Sequence, residues 1–378
     1  MKSVRRVYLD RCCLPLLAAC LAVPSTVSAQ AAPAPIGSPA PAATPADSSG
    51  RMTLDVLVTD KQGTILQGLE QKDFTLLDNG QPHPIMGFRA IDAQANPNAV
   101  QVVIAVDMIN TNFNRVAYER AQLGEFLNQN GGKLAHPARL AVLTETGLKM
   151  MQGSTTDGHA LLAEFVKVGT DLRTVRSSAG FYGAAERIEY SLTELRQLVA
   201  HEATQPGHKL IILLGPGWPM LTMAGVEEIP SQRNWVFNVL TQITDEIQRA
   251  HVSIYSVYPF DLGRTNPFFY RVYLKPVRRP DQGEYPDLAL QVLAHHSGGR
   301  AIIMGRDVCG QINTAMLDAG SYYELTFETT PGGKPNEYHD LDVKVDQAGA
   351  LARTDAGYYA NIQLVGGKTA SPSHSTRP

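Results

Sequence analysis

Cysteine is the first thing this chain has little of: four in 378 residues. Cys12, Cys13 and Cys20 all fall in its leading segment, so downstream only Cys309 remains. An internal disulfide is thereby excluded from the folded part, whose stability has to come from a packed core. Cys309 reads as a small buried hydrophobe on a helix. An excess of one charge is missing too, with 33 Lys and Arg against 36 Asp and Glu and a net charge of −3. That leaves no basic footprint, and nucleic acid is excluded as a main partner. Downstream of the leading segment no apolar run is long enough to span a bilayer. Signatures of catalysis are also absent. There is no G-x-S-x-G elbow, no H-E-x-x-H, no G-x-x-x-x-G-K loop and no dinucleotide fingerprint, so the chain reads as a non-enzyme. What it does have is 44% apolar and 18% charged residues, enough for a sizeable core.

The stretch Gln101–Phe113, QVVIAVDMINTNF, is the most informative. Its apolar, β-branched run is too continuous for a half-exposed strand. It ends on a carboxylate, Asp107, followed by the short polar residues Asn110, Thr111 and Asn112. A buried strand that stops at an acid and passes into a helix is how α/β folds build a site on the carboxyl edge of a sheet.

The leading segment reads as an export signal over residues 1–29. Lys2, Arg5, Arg6 and Arg11 make a positive region, Cys12–Val23 an apolar one, and Val27-Ser28-Ala29 a cleavage site before Gln30. A lipoprotein signal is the alternative, because Leu17-Ala18-Ala19-Cys20 has the pattern that would anchor the chain through lipid on Cys20. Residues 30–50, rich in Ala, Pro, Ser and Thr, read as a linker, and residues 363–378 as an unstructured tail.

Order is expected from residue 51. MTLDVLVTD alternates with period two, and DFTLLDNGQPHPIMGF reads as a hairpin around Asn79-Gly80, giving a β segment over 51–92. Over 99–318 strands alternate with helices, which predicts a mostly parallel sheet covered on both faces. The strand runs are QVVIAVD, RLAVLTE, KLIILL, VSIYSVYP and RAIIM, with LKMMQG forming an antiparallel edge hairpin after RLAVLTE. Residues 319–362 return to β in three runs, SYYELTFETT, EYHDLDVKVD and ALARTDAGYYA. Too few strands lie in either terminal segment to stand alone. The two are expected to form one antiparallel β-sandwich, with the α/β domain inserted between them.

These residues carry a resemblance. The β-α-β-β-α-α order, with an acid and polar residues after the first strand, resembles a von Willebrand factor type A domain. VLVTDKQGTILQGLEQKDFTLLDNG, VDMINTNF, QPGHKLIILLGPGWP, LALQVLAHHSGGRA and the ending YYELTF…EYHDLDVKV…ARTDAGYYA look like the VWFA-related family found mainly in acidobacteria. The resemblance covers nearly all of residues 52–362 and implies a Rossmann-like type A domain, carried on an exported protein. It also implies a metal-ion-dependent adhesion site of the form D-x-S-x-S, with a Thr from a second loop and an Asp after the fourth strand. Here Asp107 matches the first acid and Thr111 the second hydroxyl, while Ile109 stands where the first Ser belongs. Asn110 offers a carbonyl oxygen one place away, and Thr174, Ser177 or Ser178 could supply the second-loop hydroxyl. After the fourth strand comes Gly215-Pro216-Gly217-Trp218-Pro219, with no acid. The expectation is a degenerate site with no resident cofactor, holding Mg²⁺ at most weakly. Asp107 would then cap the first helix or accept loop amides.

Trp218 has two readings, an exposed anchor for a partner or an indole packed over the sheet edge in a rigid turn. His295-His296 and His339 are poor chelates at that spacing. The function expected is a binding module that meets a protein or cell-envelope ligand at the carboxyl edge, through Asn112 and Trp218. A structural component of the envelope is the alternative, and a hydrolase comes third.

Overall fold

The computed structural model describes residues 50–96, 98–111, 113–169, 181–218, 228–258, 269–303 and 307–362. The expected signal, the linker up to residue 49 and the tail, and also Asn112, Thr174, Ser177 and Ser178, lie outside the described residues.

Four strands open the described chain: β1 (Arg51–Thr59), β2 (Phe74–Asp78), β3 (Gln81–His83) and β4 (Gly87–Ile91). β2 and β3 form the expected hairpin, pairing Asp78 with Gln81 across Asn79 and Gly80. Both turn residues have positive φ, 50° and 76°. That is the geometry whose twist matches a two-residue hairpin, and Asn-Gly adopts it at little steric cost.

The α/β body follows: β5 (Val100–Asp107), α1 (Phe113–Asn128), β6 (Lys133–Thr144), β7 (Gly147–Met150), β8 (Thr155–Asp157), α2 (Gly158–Gly169), α3 (Phe181–Glu202) and β9 (His208–Leu214). It continues through α4 (Pro230–Arg249), β10 (Val252–Val257), α5 (Leu290–His296), β11 (Arg300–Ile302) and α6 (Val308–Met316). The strand order is β11-β10-β9-β5-β6-β7, with β8 also on β6. All pairings are parallel except those of β7 and β8. β5 is central, and its alternate residues feed two cores. Val103 and Ala105 pack with Ile188, Leu192, Leu195 and Ile243 of α3 and α4. Val102, Ile104 and Val106 pack with Leu123, Leu161, Phe165 and Ile312 of α1, α2 and α6. Burial on both faces explains why the strand reads as an unbroken apolar run.

The last strands are β12 (Tyr322–Glu328), β13 (Glu337–Val345), β14 (Leu351–Arg353) and β15 (Gly357–Ala360). They combine with the first four into two antiparallel sheets, β14-β1-β12-β4 and β15-β13-β2-β3. Leu54, Val56 and Val58 of β1 meet Tyr323, Leu325 and Phe327 of β12, with Phe74, Leu76, Leu341, Val343 and Tyr358 from the other sheet. Each fully buried aliphatic of this kind stabilises by about 1.5–3 kcal/mol. The run ALARTDAGYYA, expected as one strand, is two. β14 pairs with β1 and β15 with β13, and the chain crosses between the sheets over Thr354–Ala356. A single straight strand cannot pair in two sheets that face each other, so it breaks.

Because β12 lies between β1 and β4, and β13 borders β2, a chain starting at residue 93 strips both partners from β12 and one from β13. We expect that fragment to aggregate through open strand edges, with its α/β core otherwise intact. Light scattering after size exclusion checks this, and a monodisperse fragment would refute it.

Candidate functional site

Parallel strands finish on the same side of a sheet, and β5 finishes on Asp107, which is 0% exposed. Its Oδ1 accepts the backbone N–H groups of Ile109 (2.9 Å) and Asn110 (3.2 Å), closing a turn on its own loop. Its Oδ2 accepts a hydrogen bond of 2.7 Å from Asn110 Nδ2. The same amide nitrogen donates to Ser191 Oγ on α3 (2.8 Å), and Ser191 Oγ donates to the Arg187 carbonyl (2.7 Å). Gly215, just past β9, lies directly against this acid, for a Cβ there would stand 2.7 Å from Asp107 Cβ. The glycine is required by space. Burial pushes the Asp107 carboxyl up to about 6, against the hydrogen bonds from Asn110 and Ile109. Two neighbouring oxygens, Asn110 Oδ1 and Thr111 Oγ1, are buried without a hydrogen-bond partner. Glu145, in the turn after β6, is raised by burial and by Glu186, with Arg187 opposing.

Ser191 and Gly215 were not legible as site residues. A Ser inside a helix and a Gly in a proline-rich turn carry no spacing that points at Asp107.

Trp218 is 3% exposed and packs with Ile109, Ile188 and Leu290. The exposed-anchor reading is corrected: the indole is part of the core beneath the carboxyl edge, and it cannot serve as a surface contact. His339 is buried in the sandwich, where its Nδ1 meets Asp78 Oδ1 at 2.7 Å and its ring stacks on Tyr358. His295 and His296 adjoin at the end of α5, with ring centroids 5.7 Å apart. Cys309 is free and buried on α6.

No family model matches the sequence, and no curated protein matches it. Among solved structures, a human COPII-coat protein is similar over 71% of this chain and 44% of its own, at 8% identity and a TM-score of 0.31. The SpRpn10 VWA domain is similar over 59% of this chain and 98% of its own, at 12% identity and a TM-score of 0.26. The pilus adhesin SpaC from Lactobacillus rhamnosus GG is similar over 78% of this chain and 49% of its own, at 12% identity and a TM-score of 0.32. This chain thus spans less than half the length of the coat protein and of the adhesin. Likeness at this level carries nothing about activity or partner. The fold rests on the strand and helix order described above, a mostly parallel sheet with β5 at its centre and one antiparallel edge. The α/β body has a von Willebrand factor type A-like fold.

That fold implies a divalent ion at the carboxyl edge, and the described residues of this type A-like body do not fit one. Mg²⁺ takes near-octahedral oxygen ligands and is captured mainly through carboxylates. Both Asp107 oxygens already accept N–H groups, and Asn110 turns its NH₂, a donor, toward the carboxylate. Ile109, where a hydroxyl belongs, is buried in the apolar core. Among the described residues no group of three or more His, Cys, Asp or Glu is placed to hold a metal.

A carboxyl held above its ordinary 3.8 in the fold keeps its proton longer than in the unfolded chain, so its ionisation opposes folding as pH rises from 3.8 to about 6. Asp107→Asn keeps an acceptor for the loop amides and removes that charge. We expect a melting temperature at pH 7 at least equal to the wild type's, with any advantage vanishing below pH 4. Asp107→Ala leaves two buried N–H groups without an acceptor and should cost about 1–3 kcal/mol at either pH. Thermal unfolding followed across that range checks both.

Proposed function

We propose that this chain is an exported, non-enzymatic binding module that meets a protein or cell-envelope ligand at the carboxyl edge of its type A-like sheet, without a resident metal. The observation that carries the reading is the pair of buried, unpartnered oxygens, Asn110 Oδ1 and Thr111 Oγ1, beside the buried Asp107. Buried polar atoms in native proteins are nearly always hydrogen-bonded, so two orphans at one sheet edge mark where a ligand or water donor belongs. Against catalysis, Asp107 is engaged by its own loop amides and Asn110, and among the described residues neither a histidine nor a nucleophilic hydroxyl is bonded to it. The sequence motifs support the finer assignment to the acidobacterial-type VWFA-related family. Export rests on the signal over residues 1–29, with cleavage before Gln30.

The test is capture of envelope proteins by the mature chain, with and without divalent metal. Thr146 is exposed in the turn after β6 at the carboxyl edge, and Thr204 is exposed before β9 at the opposite edge. Thr146→Arg should abolish capture and Thr204→Arg should spare it. Equal capture by both variants would overturn the carboxyl-edge reading and favour a scaffold component of the envelope.

Calorimetry of the mature chain should show no appreciable Mg²⁺ binding at about millimolar metal, the weak end of extracellular divalent sites. Tight binding lost in Asp107→Ala would overturn the metal-free reading. Intact mass should give a chain starting at Gln30; one starting at Cys20 with added acyl mass would make it a lipid-anchored protein instead.

A further inference from the structure

The inward positions of β1 are Leu54, Val56 and Val58, so Asp55 and Leu57 face away from the sandwich core. Asp55 is turned toward the α/β body and its side chain is 9% exposed. There its Oδ2 accepts from two histidines, His208 Nδ1 at 2.7 Å and His251 Nδ1 at 3.0 Å. His208 opens β9 and His251 is in the turn between α4 and β10, both at the amino edge of the parallel sheet. The two are also joined through the backbone, Lys209 N–H donating to the His251 carbonyl at 2.8 Å. One carboxylate oxygen of the sandwich therefore clasps two imidazoles of the α/β body, at the edge opposite Asp107.

The loop after β14 makes a second tie at this junction. Ala356 N–H donates to the His296 carbonyl at 3.0 Å, and Gly298 lies so close that a Cβ there would meet Thr354 at 2.8 Å. Asp355, in the same loop, feels the charges of both Asp55 and His251. From β12, Tyr322 lays its ring 5.3 Å from that of His208 and bonds the Ala99 carbonyl, while Glu324 is ion-paired with Arg89 of β4. From β9 comes Lys209, which also feels Glu202 at the end of α3, itself paired with Arg139. Arg353 of β14 and Asp318 close the far side, bonded to each other.

We infer that Asp55, His208 and His251 form a pH-sensitive latch that fastens the β-sandwich to the amino edge of the α/β sheet, closed at neutral and mildly acid pH and weakened as pH rises.

The acids around the latch raise His251 and Lys209 opposes them. The hydrogen bond to Asp55 raises His251 above the ordinary 6.5, against burial and Lys209, with Glu324 adding to the rise. A histidine raised in the fold contributes stability that is complete below 6.5 and is lost as pH rises through its folded value. Burial, with the Asp55 charge adding to it, pushes the Asp355 carboxyl up to about 7. Its ionisation beside Asp55 opposes folding as pH rises from 3.8 to about 7, a window that lies mostly below that of His251. Burial acts to raise Asp55, but His208 and His251 hold it well below the ordinary carboxylate range, so its own contribution fails only in strong acid.

The experiment uses the full mature chain. Imidazole proton NMR should show His251 titrating above 6.5, and Asp55→Asn should bring it to 6.5 or below. The wild-type melting temperature should fall between pH 6 and pH 8.5, and His251→Asn should make that fall smaller. Asn suits the site because His251 has φ 52°, a conformation Asn tolerates. Titrations elsewhere, such as that of Asp107, are common to both proteins and drop out of the difference. If Asp55→Asn fails to fold, His251→Asn decides alone. A wild-type His251 that titrates at or below 6.5, or an unchanged slope in His251→Asn, would overturn the latch.

Discussion

The antiparallel pairing of β1 with β12 holds the rest of this structure in place. It sets Arg51 opposite Glu328 and Val56 opposite Tyr323, and so joins the first β segment to the last. The α/β body is inserted between β4 and β12, and its two ends lie close together because Ile91 of β4 pairs with Tyr322 of β12. Neither terminal segment has the strands for two sheets, and a lone hairpin is marginal in water. Interleaving them gives each sheet strands from both ends of the chain and a shared core around Leu54, Leu325 and Phe327. With no disulfide to close that loop, apolar packing and ladder hydrogen bonds do it.

Two buried acids, one at each edge of the parallel sheet, show how partners decide what burial does. Asp107 and Asp55 are both withdrawn from water, and desolvation is the largest influence on each. Asp107 is met by neutral dipoles of its own loop, which offset only part of that penalty, so its carboxyl sits high. Asp55 is met by two imidazoles, and charge with hydrogen bonding outweighs burial. One acid makes a rigid neutral-partner turn beside orphaned oxygens, and the other makes a clasp between two bodies. At Asp107 itself, Asn110 supplies with an N–H what an ion would supply with charge.

Much of this was legible in the residues. Period-two alternation marked β1, the unbroken run QVVIAVD marked a strand buried on both faces, and Asn79-Gly80 marked a hairpin. Asp107 at the end of that run marked the carboxyl edge, where it is fully buried. All of these are local: a strand's period, a turn's φ preference and a strand-ending acid are written within a few consecutive residues.

Tertiary structure decided the rest. Trp218 could be read as an anchor or as core until α3 and α5 were packed around it. ALARTDAGYYA looked like one strand until two facing sheets each claimed part of it. Asn110 finds Ser191 81 positions away, and Asp55 finds His208 and His251 at 153 and 196. No sequence period encodes separations of that size. They arise only when the insertion folds and its amino edge comes up against β1, because which side chains meet across two bodies depends on how both are packed. The sequence by itself determined the elements and where an acid ends the central strand; the packing of one body on the other determined what each buried acid holds.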